Sequence, residues 1–347
     1  MMRLLVITNN LNHASFRQRV VIHLDLLRNN GIDCQVAKLP RGLLERRSLF
    51  ASARHFDGVL LHRKVLNLWD GFWLRRCARP VIYDIDDAVM YDDLRSGRDS
   101  RIRLRRFAGS VAASRLVIAG NDYLAEHARR YGHNVRVLPT GLDIREYRTP
   151  ERTENDGKVR LVWIGGRSTL KYLGEIRPAL EELGRRFQKV ILRVICDTFF
   201  DLEAIPVEKR PWSRQTEAAD LISSDIGLAP LPDNAFTRGK CGFKILQYQA
   251  AGLPVVASPV GVNGQYVQDS VTGFLARDRA QWIDRLGMLI EDPGLRTALG
   301  RSGQQHVEGF DVRVIGEHLS RLVMETLGQN RGAGPDLGRH DGAANQN

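Results

Sequence analysis

Cysteine is scarce: Cys34, Cys77, Cys196 and Cys241 are scattered through 347 residues, with no pair at metal-ligand spacing. That excludes a disulfide-stapled fold and a cysteine zinc site. There is also no apolar run of about eighteen residues, the length a helix needs to cross a bilayer. The apolar start Met1-Met2-Arg3-Leu4-Leu5-Val6-Ile7-Thr8 gives way to Asn9-Asn10, which suits a first buried strand better than a secretion signal. Reduced thiols and the missing signal predict a cytoplasmic location. Acidic residues are in deficit, 40 against 51 basic ones, for a net charge of +11, and arginine supplies 43 of the 51. Such an excess favours an anionic partner. Nucleic acid is excluded as that partner, because there is no reading motif and no strand face interleaving basic with aromatic residues. The densest basic run, Arg95 to Arg106, carries Ile102 and Leu104, with Phe107 just beyond. It fits a helix on the inner, anionic face of a membrane or one whose basic side is merely solvated.

What is present describes a folded protein of two cores. Hydrophobic residues make up 43% and charged residues 26%, and the chain is long for a single core. Strand and helix patterns alternate. Strands are predicted at 4–8, 33–37, 58–61, 80–83, 115–119 and 135–139, with a helix over 16–29 after the first. A polar stretch, 148–158, then separates this half from a second alternation. Its strands are predicted at 159–164, 190–195, 226–229 and 255–257, with helices at 172–187, 217–223, 279–291 and 293–308. This is the pattern of doubly wound parallel sheets. The predicted division is a first domain over 1–150, a second over 151–310, a helix over 311–327 returning to the first domain, and a glycine-rich polar tail, 328–347, predicted disordered.

The most informative stretch is Arg238-Gly239-Lys240-Cys241-Gly242-Phe243-Lys244-Ile245-Leu246-Gln247, continuing through Gly252-Leu253-Pro254, the apolar Val255-Val256-Ala257 and Gly261-Val262-Asn263. A glycine loop opens a helix, and a second glycine loop follows a buried strand. Lys240 and Lys244 thus stand at a helix start, where free amides and the helix dipole favour a phosphate. With Leu161-Val162-Trp163-Ile164-Gly165-Gly166-Arg167, the run from Ala219 to Leu231, and Val137 to Asp143, this ordered set resembles glycosyltransferase family 4. Those are retaining enzymes of the GT-B fold, α/β with two Rossmann-like domains and a cleft between them.

The resemblance implies that the second domain binds a nucleotide diphosphate sugar, UDP- or GDP-linked, as donor substrate, with no cofactor or metal. Gly165, Gly166, Arg167, Lys171, Lys240, Lys244, Gly261, Val262 and Asn263 would surround the donor, and Arg167, Lys171 and Lys244 would stabilise the departing diphosphate. Asp197 and Trp212 are candidates for the ribose and base, and Gln247 for a ribose hydrogen bond. In the first domain, Asp86 falls where many members carry a histidine near the sugar and would orient or deprotonate an acceptor hydroxyl. Ser15, Arg17, Asp84 and Asp87 would face a glycan or lipid-linked glycan acceptor. A divalent metal on Asp84, Asp86 and Asp87, or a helix cap, is the alternative role for the aspartates. His13 is read as a loop residue. Many members carry two glutamates at the positions of Gly239 and Gln247. That departure keeps open a non-catalytic nucleotide-sugar-binding subunit of a glycan assembly beside a polysaccharide-synthesising enzyme.

Overall fold

A computed structural model describes residues 1–78, 80–91, 100–148 and 156–328. The tail 329–347, most of the polar stretch between the halves, and Arg95 to Asp99 of the basic run lie outside them. The first half builds a six-stranded sheet from β1 (Met2–Thr8), β2 (Ile32–Lys38), β3 (Gly58–His62), β4 (Val81–Ile85), β5 (Leu116–Ala119) and β6 (Val135–Val137). Its order is β2-β1-β3-β4-β5-β6, all parallel. The second sheet comprises β7 (Val159–Ile164), β8 (Val190–Cys196), β9 (Val207–Pro211), β10 (Ile226–Ala229), β11 (Val255–Ala257) and β12 (Gly273–Leu275). It is also parallel and runs β12-β11-β10-β7-β8-β9. This second order is the dinucleotide-fold arrangement 3-2-1-4-5-6 read from its far edge. The fold is α/β, with two Rossmann-like domains.

Each sheet carries apolar side chains on both faces, as a buried parallel sheet must. In the first, Tyr83 and Ile85 join one core and Ile82 the opposite one. The helix Val312–Gly328 lays Ile315, Leu319, Val323 and Leu327 onto the second of these cores, so the last described helix packs on the first domain. The handover between domains precedes residue 150: Leu142, Ile144 and Tyr147 pack with Ile164, Tyr248 and Val255 of the second domain.

Two helices predicted as continuous are broken. The first runs Ala14–Arg19, passes through a 3-10 turn at Val21–His23, and resumes over Leu24–Asn29. The break follows Arg19, whose guanidinium turns inward to Asp84 and the Leu138 carbonyl. The second splits into Arg167–Gly174 and Arg177–Arg186; glycine ends one piece and Pro178, in the first turn, starts the other. The strands β9 and β12 escape the sequence pattern because β9 is a charged edge strand ending in proline and β12 has only three residues.

Candidate functional site

Strand order places the site. In each sheet the connections reverse direction at one point, between β1 and β3 in the first and between β7 and β10 in the second, opening a crevice beyond the carboxyl ends of those strands. β7 and β10 pair only through Ile226 with Leu161 and Gly227 with Val162 before they diverge. The Tyr248 hydroxyl bridges the gap, accepting from the Ile164 amide (3.0 Å) and donating to the Leu228 carbonyl (3.1 Å). Gly227 makes room for it: a Cβ there would lie 2.4 Å from the Tyr248 ring. The two crevices face one another and form a cleft of about 530 Å³ lined from both domains.

The second-domain side of the cleft holds a buried lysine. Lys244 lies with its ammonium 4.2 Å from the centre of the Trp163 ring. Among the described residues it has no carboxylate partner. Burial, and secondarily the charge of Lys240, pulls its pKa down from the usual lysine range to about 7. The helix it belongs to, Phe243–Ala250, begins after Gly242 (φ 62°) with no side-chain cap. The helix Arg167–Gly174 likewise begins uncapped after Gly166. Two helix starts after glycine, one of them with its Arg167 amide already on Asp197, and a desolvated ammonium border one cavity, an arrangement that favours an anion. Gly165, Gly166, Thr169, Lys240, Lys244, Gln247 and Asn263 line it.

Several sequence candidates are placed differently. Arg167 does not line the cleft; it is exposed, and its Nε donates to the Thr198 hydroxyl at 2.9 Å. Its backbone amide donates to Asp197, which does line the cleft. Lys171 is also exposed and away from the lining, with its ammonium 5.2 Å from the Tyr172 ring centre. Gly261 and Val262 shape the second loop from behind: a Cβ on Gly261 (φ 55°) would press on the Arg238 carbonyl, and Val262 is buried. Only Asn263 of that loop reaches the cavity, held by its amide on the Ala229 carbonyl. Trp212 lines the cleft, but the Arg17 guanidinium lies 5.0 Å from its ring centre, and its Nε1 donates to Glu217 at 2.6 Å. Gln247 is bonded to the Tyr147 hydroxyl at 3.0 Å.

The first domain contributes a charge network that the sequence did not disclose. Alternation along β4 turns Asp84 away from the cleft, to the face of Ile82, so it is not an acceptor contact. It is buried between Arg19 and His62 Nδ1, the latter at 2.8 Å. Burial raises its pKa, but Arg19 foremost and His62 next outweigh that and hold the carboxyl down at about 2. His62 Nε2 stands 3.0 Å from the Ser15 hydroxyl, and Ser15 lines the cleft. With Nδ1 donating to Asp84, Nε2 accepts from Ser15, giving a buried chain from Asp84 through His62 to the cavity.

Asp86 and Asp87 follow the strand and do line the cleft. Arg63 bridges them, 3.4 Å from Asp86 and 3.0 Å from Asp87, and Lys240 reaches Asp87 at 3.2 Å across the domain boundary. Burial pushes Asp86 up, and Arg63 above all, with His62 and Arg19, brings it below the usual carboxylate range. One oxygen of each, Asp86 Oδ1 and Asp87 Oδ1, is buried without a hydrogen-bond donor. Neither aspartate caps the following helix, Arg101–Ala112, which Ser100 caps. Among the described residues no group of three His, Cys, Asp or Glu side chains is placed to share a metal ion.

Gly239 has a packing reason. It sits in the 3-10 turn Thr237–Gly239, pressed onto the first domain, where an added Cβ would lie 2.7 Å from the Ala88 Cβ. Asn121 donates to the Gly239 and Lys240 carbonyls, Tyr123 to the Ala235 carbonyl, and the Cys241 thiol to the Asp86 carbonyl. A glutamate at 239 has no room while this contact is closed. Sequence reasoning passed over His62, Arg63 and Arg19, and Glu217 and Thr140 as lining residues. A charged or polar residue at the end of an otherwise apolar strand is the signal that would have found His62.

Fold and site together define a two-domain α/β protein of the GT-B type. Residues 213–292 match the family model described as glycosyl transferases group 1. The D-inositol 3-phosphate glycosyltransferase of Nocardia farcinica is 28% identical over 255 residues, covering 62% of this chain and 54% of that protein. The one from Salinispora tropica is 41% identical over 116 residues, covering 33% and 22% respectively. The chain thus spans about half the length of the first of these relatives, or less. Among solved structures, Anabaena HepE in complex with UDP-glucose superposes with a TM-score of 0.71 at 16% identity, over 94% of this chain and all of that one. Sucrose-phosphate synthase from Thermosynechococcus elongatus gives 0.70 at 13% identity, over 95% of this chain and all of that one. The chain is therefore similar in sequence to glycosyl transferases of group 1 over residues 213–292 and GT-B in fold.

Proposed function

We propose that this chain transfers a sugar, with retention, from a nucleotide diphosphate sugar to a hydroxyl of a glycan or lipid-linked glycan in cell-surface polysaccharide synthesis, without a metal. The observation that carries the reading is Lys244: a desolvated, unpaired ammonium between two uncapped helix starts, in a cleft that both domains close. The diphosphate would occupy that position. Negative charge grows on it as the glycosidic bond lengthens, and Lys244 with the first-turn amides would stabilise that growth more than the ground state. Anabaena HepE, of the same fold, holds UDP and UDP-glucose, which supports a UDP-linked donor here.

Across the cleft, the Asp86 carboxylate would accept the acceptor hydroxyl, with Ser15 and Asp87 beside it. Arg63 favours the ionised form of Asp86, the form that can take up the hydroxyl proton. Arg17, stacked on Trp212, would close the nucleotide end. Isothermal titration with UDP and GDP tests donor binding, and a screen of nucleotide sugars reading released nucleotide diphosphate tests transfer. Failure of both nucleotides to bind would overturn the proposal.

A second reading is favoured by one observation, the closure of the first domain over Gly239 where family members carry a glutamate. On that reading the chain binds a nucleotide sugar as a non-catalytic subunit of a glycan assembly. Donor turnover that is lost in Lys244→Ala would eliminate it.

A further inference from the structure

Both ring nitrogens of a buried histidine are engaged at the edge of the cleft. His62 ends β3 and is paired in register with Asp84 of β4, so adjacent parallel strands set imidazole beside carboxylate. Only 2% of His62 is exposed, and the Phe16 ring packs against it with 5.6 Å between centres. Nδ1 meets Asp84 at 2.8 Å, and Nε2 meets the Ser15 hydroxyl at 3.0 Å. Arg19 holds Asp84 from its other side and is itself fixed on the Leu138 carbonyl at 2.6 Å. Because an arginine keeps its proton, Asp84 stays a carboxylate and fixes the neutral ring as the Nδ1–H tautomer. Nε2 is then a base aimed at Ser15.

Ser15 and Asp86 both line the cleft. Burial pushes the Asp86 carboxyl up; Arg63, His62, Arg19 and last the Ser15 hydroxyl pull it below the usual carboxylate range, so that hydroxyl reaches the aspartate as well as the imidazole. A hydroxyl donates and accepts, and can take a proton on one side while releasing one on the other. The chain has a direction, because imidazole holds a proton at pH values where a carboxylate has released it. An apolar ring would fill the same space against Phe16. An orienting carboxylate behind the ring and a hydroxyl ahead of it are what a base requires. Ser15 is poorly placed to be a nucleophile, since the charge of Asp86 beside it opposes the oxyanion that its attack would build.

We propose that Ser15, His62 and Asp84 form a proton relay that carries the acceptor's hydroxyl proton away from Asp86 into the first domain. The relay rests on the transfer reading. As the acceptor oxygen bonds to the anomeric carbon, its O–H bond breaks and the proton goes to Asp86, while the electron pair of the broken glycosidic bond leaves on the diphosphate. Ser15 Oγ takes the proton from Asp86 as its own moves to His62 Nε2, which leaves an imidazolium against Asp84 and Asp86 ionised again. In the emptied cleft the chain runs backward and gives the proton to water. His62 thus acts through Ser15.

The charged and titratable groups around His62 are His13 and Arg19 from the first helix and its cap, Arg63 next in the chain, and Asp84 and Asp86 at the end of β4. Asp84 is held at about 2 and Asp86 below the usual carboxylate range, so neither changes charge above about pH 5. A protonated imidazole has no free Nε2 lone pair. Turnover therefore falls as pH drops through the His62 titration.

Two measurements on the full chain test the relay. Nitrogen NMR of the histidine rings, without ligand, should show His62 as the Nδ1–H tautomer, with an Nε2 resonance that moves in Ser15→Ala and stays in Ser15→Thr. A neutral ring with its proton on Nε2 would overturn the proposal with no nucleotide present. The second measurement is turnover of saturating UDP-glucose between about pH 5 and about pH 9. His62→Gln, which keeps hydrogen bonding but has no basic nitrogen, should lower turnover by about 100-fold and remove the acidic limb, with UDP affinity and circular dichroism unchanged. Ser15→Ala falls nearly as far, and Ser15→Thr recovers. Should His62→Gln lose its fold, the two serine variants carry the test. Turnover and acidic limb untouched by His62→Gln, a limb that disappears in His13→Gln instead, or a loss of UDP affinity matching the loss of turnover would also overturn it. A wild type that neither binds UDP nor turns over UDP-glucose counts against the transfer reading, and the NMR result then decides the relay.

Discussion

A single lysine sets the behaviour expected of the donor site. Lys244 in the free protein is held near the midpoint of its titration at neutral pH, by burial first and Lys240 second. A bound diphosphate favours its charged form and raises its pKa. Affinity for UDP is therefore expected to be greatest below pH 7 and to fall as pH rises above 7, by up to about tenfold per unit, because binding must then take up a proton. Titration between neutral and alkaline pH measures this, and in Lys244→Ala the slope vanishes and binding weakens by about 10- to 100-fold. On the transfer reading proposed above, Asp86 faces the acceptor. Asp86→Asn keeps the shape and removes the anionic acceptor, so transfer should fall by about 100-fold or more, with nucleotide affinity unchanged. A matching loss of nucleotide affinity would assign Asp86 to donor binding instead.

At the level of elements, the hydroxyl of Tyr248 does work that the sheet leaves undone. Where β7 and β10 part to make the crevice, it satisfies one amide and one carbonyl that would otherwise be buried unpaired. Tyr248→Phe should cost about 1–3 kcal/mol in a denaturation experiment, with no change in the wavelength-independent unfolding midpoint of the first domain if the two cores melt separately. The helices whose starts border the cleft were legible as elements because their apolar residues recur at helical spacing. Their breaks at Arg19 and Gly174 were not. Arg19 is helix-forming by propensity and leaves the helix for Asp84, sixty-five positions away, a partner that no local window contains. Likewise Arg167 carried the right motif and the right charge, and its side chain went to Thr198.

For the whole molecule, the closed arrangement of the domains is held by few contacts: Asn121, Tyr123 and Cys241 through backbone carbonyls, Lys240 with Asp87, and Arg17 over Trp212. Restoring the family's acidic residue tests how tightly they hold. Gly239→Glu should force the turn away from Ala88, lower stability by about 1–3 kcal/mol, and increase the radius of gyration in small-angle scattering. Transfer activity should fall, although the substitution makes the loop more like its relatives. An unchanged scattering curve with increased transfer would show that the glutamate fits and that Gly239 is a functional loss.

The sequence by itself determined the alternation of strands and helices, the division into two cores, and the glycine loop that opens the helix carrying Lys244, because periodicity, glycine turns and a lysine at a helix start are local properties. Only the tertiary structure decided which charges remain free. Pairing joins residues far apart in the chain, as when Arg19 takes Asp84, Arg63 takes Asp86 and Asp87, and Lys240 takes Asp87 from the opposite domain. Lys244 is left facing an aromatic ring, and one oxygen each of Asp86 and Asp87 is left buried without a hydrogen-bond donor.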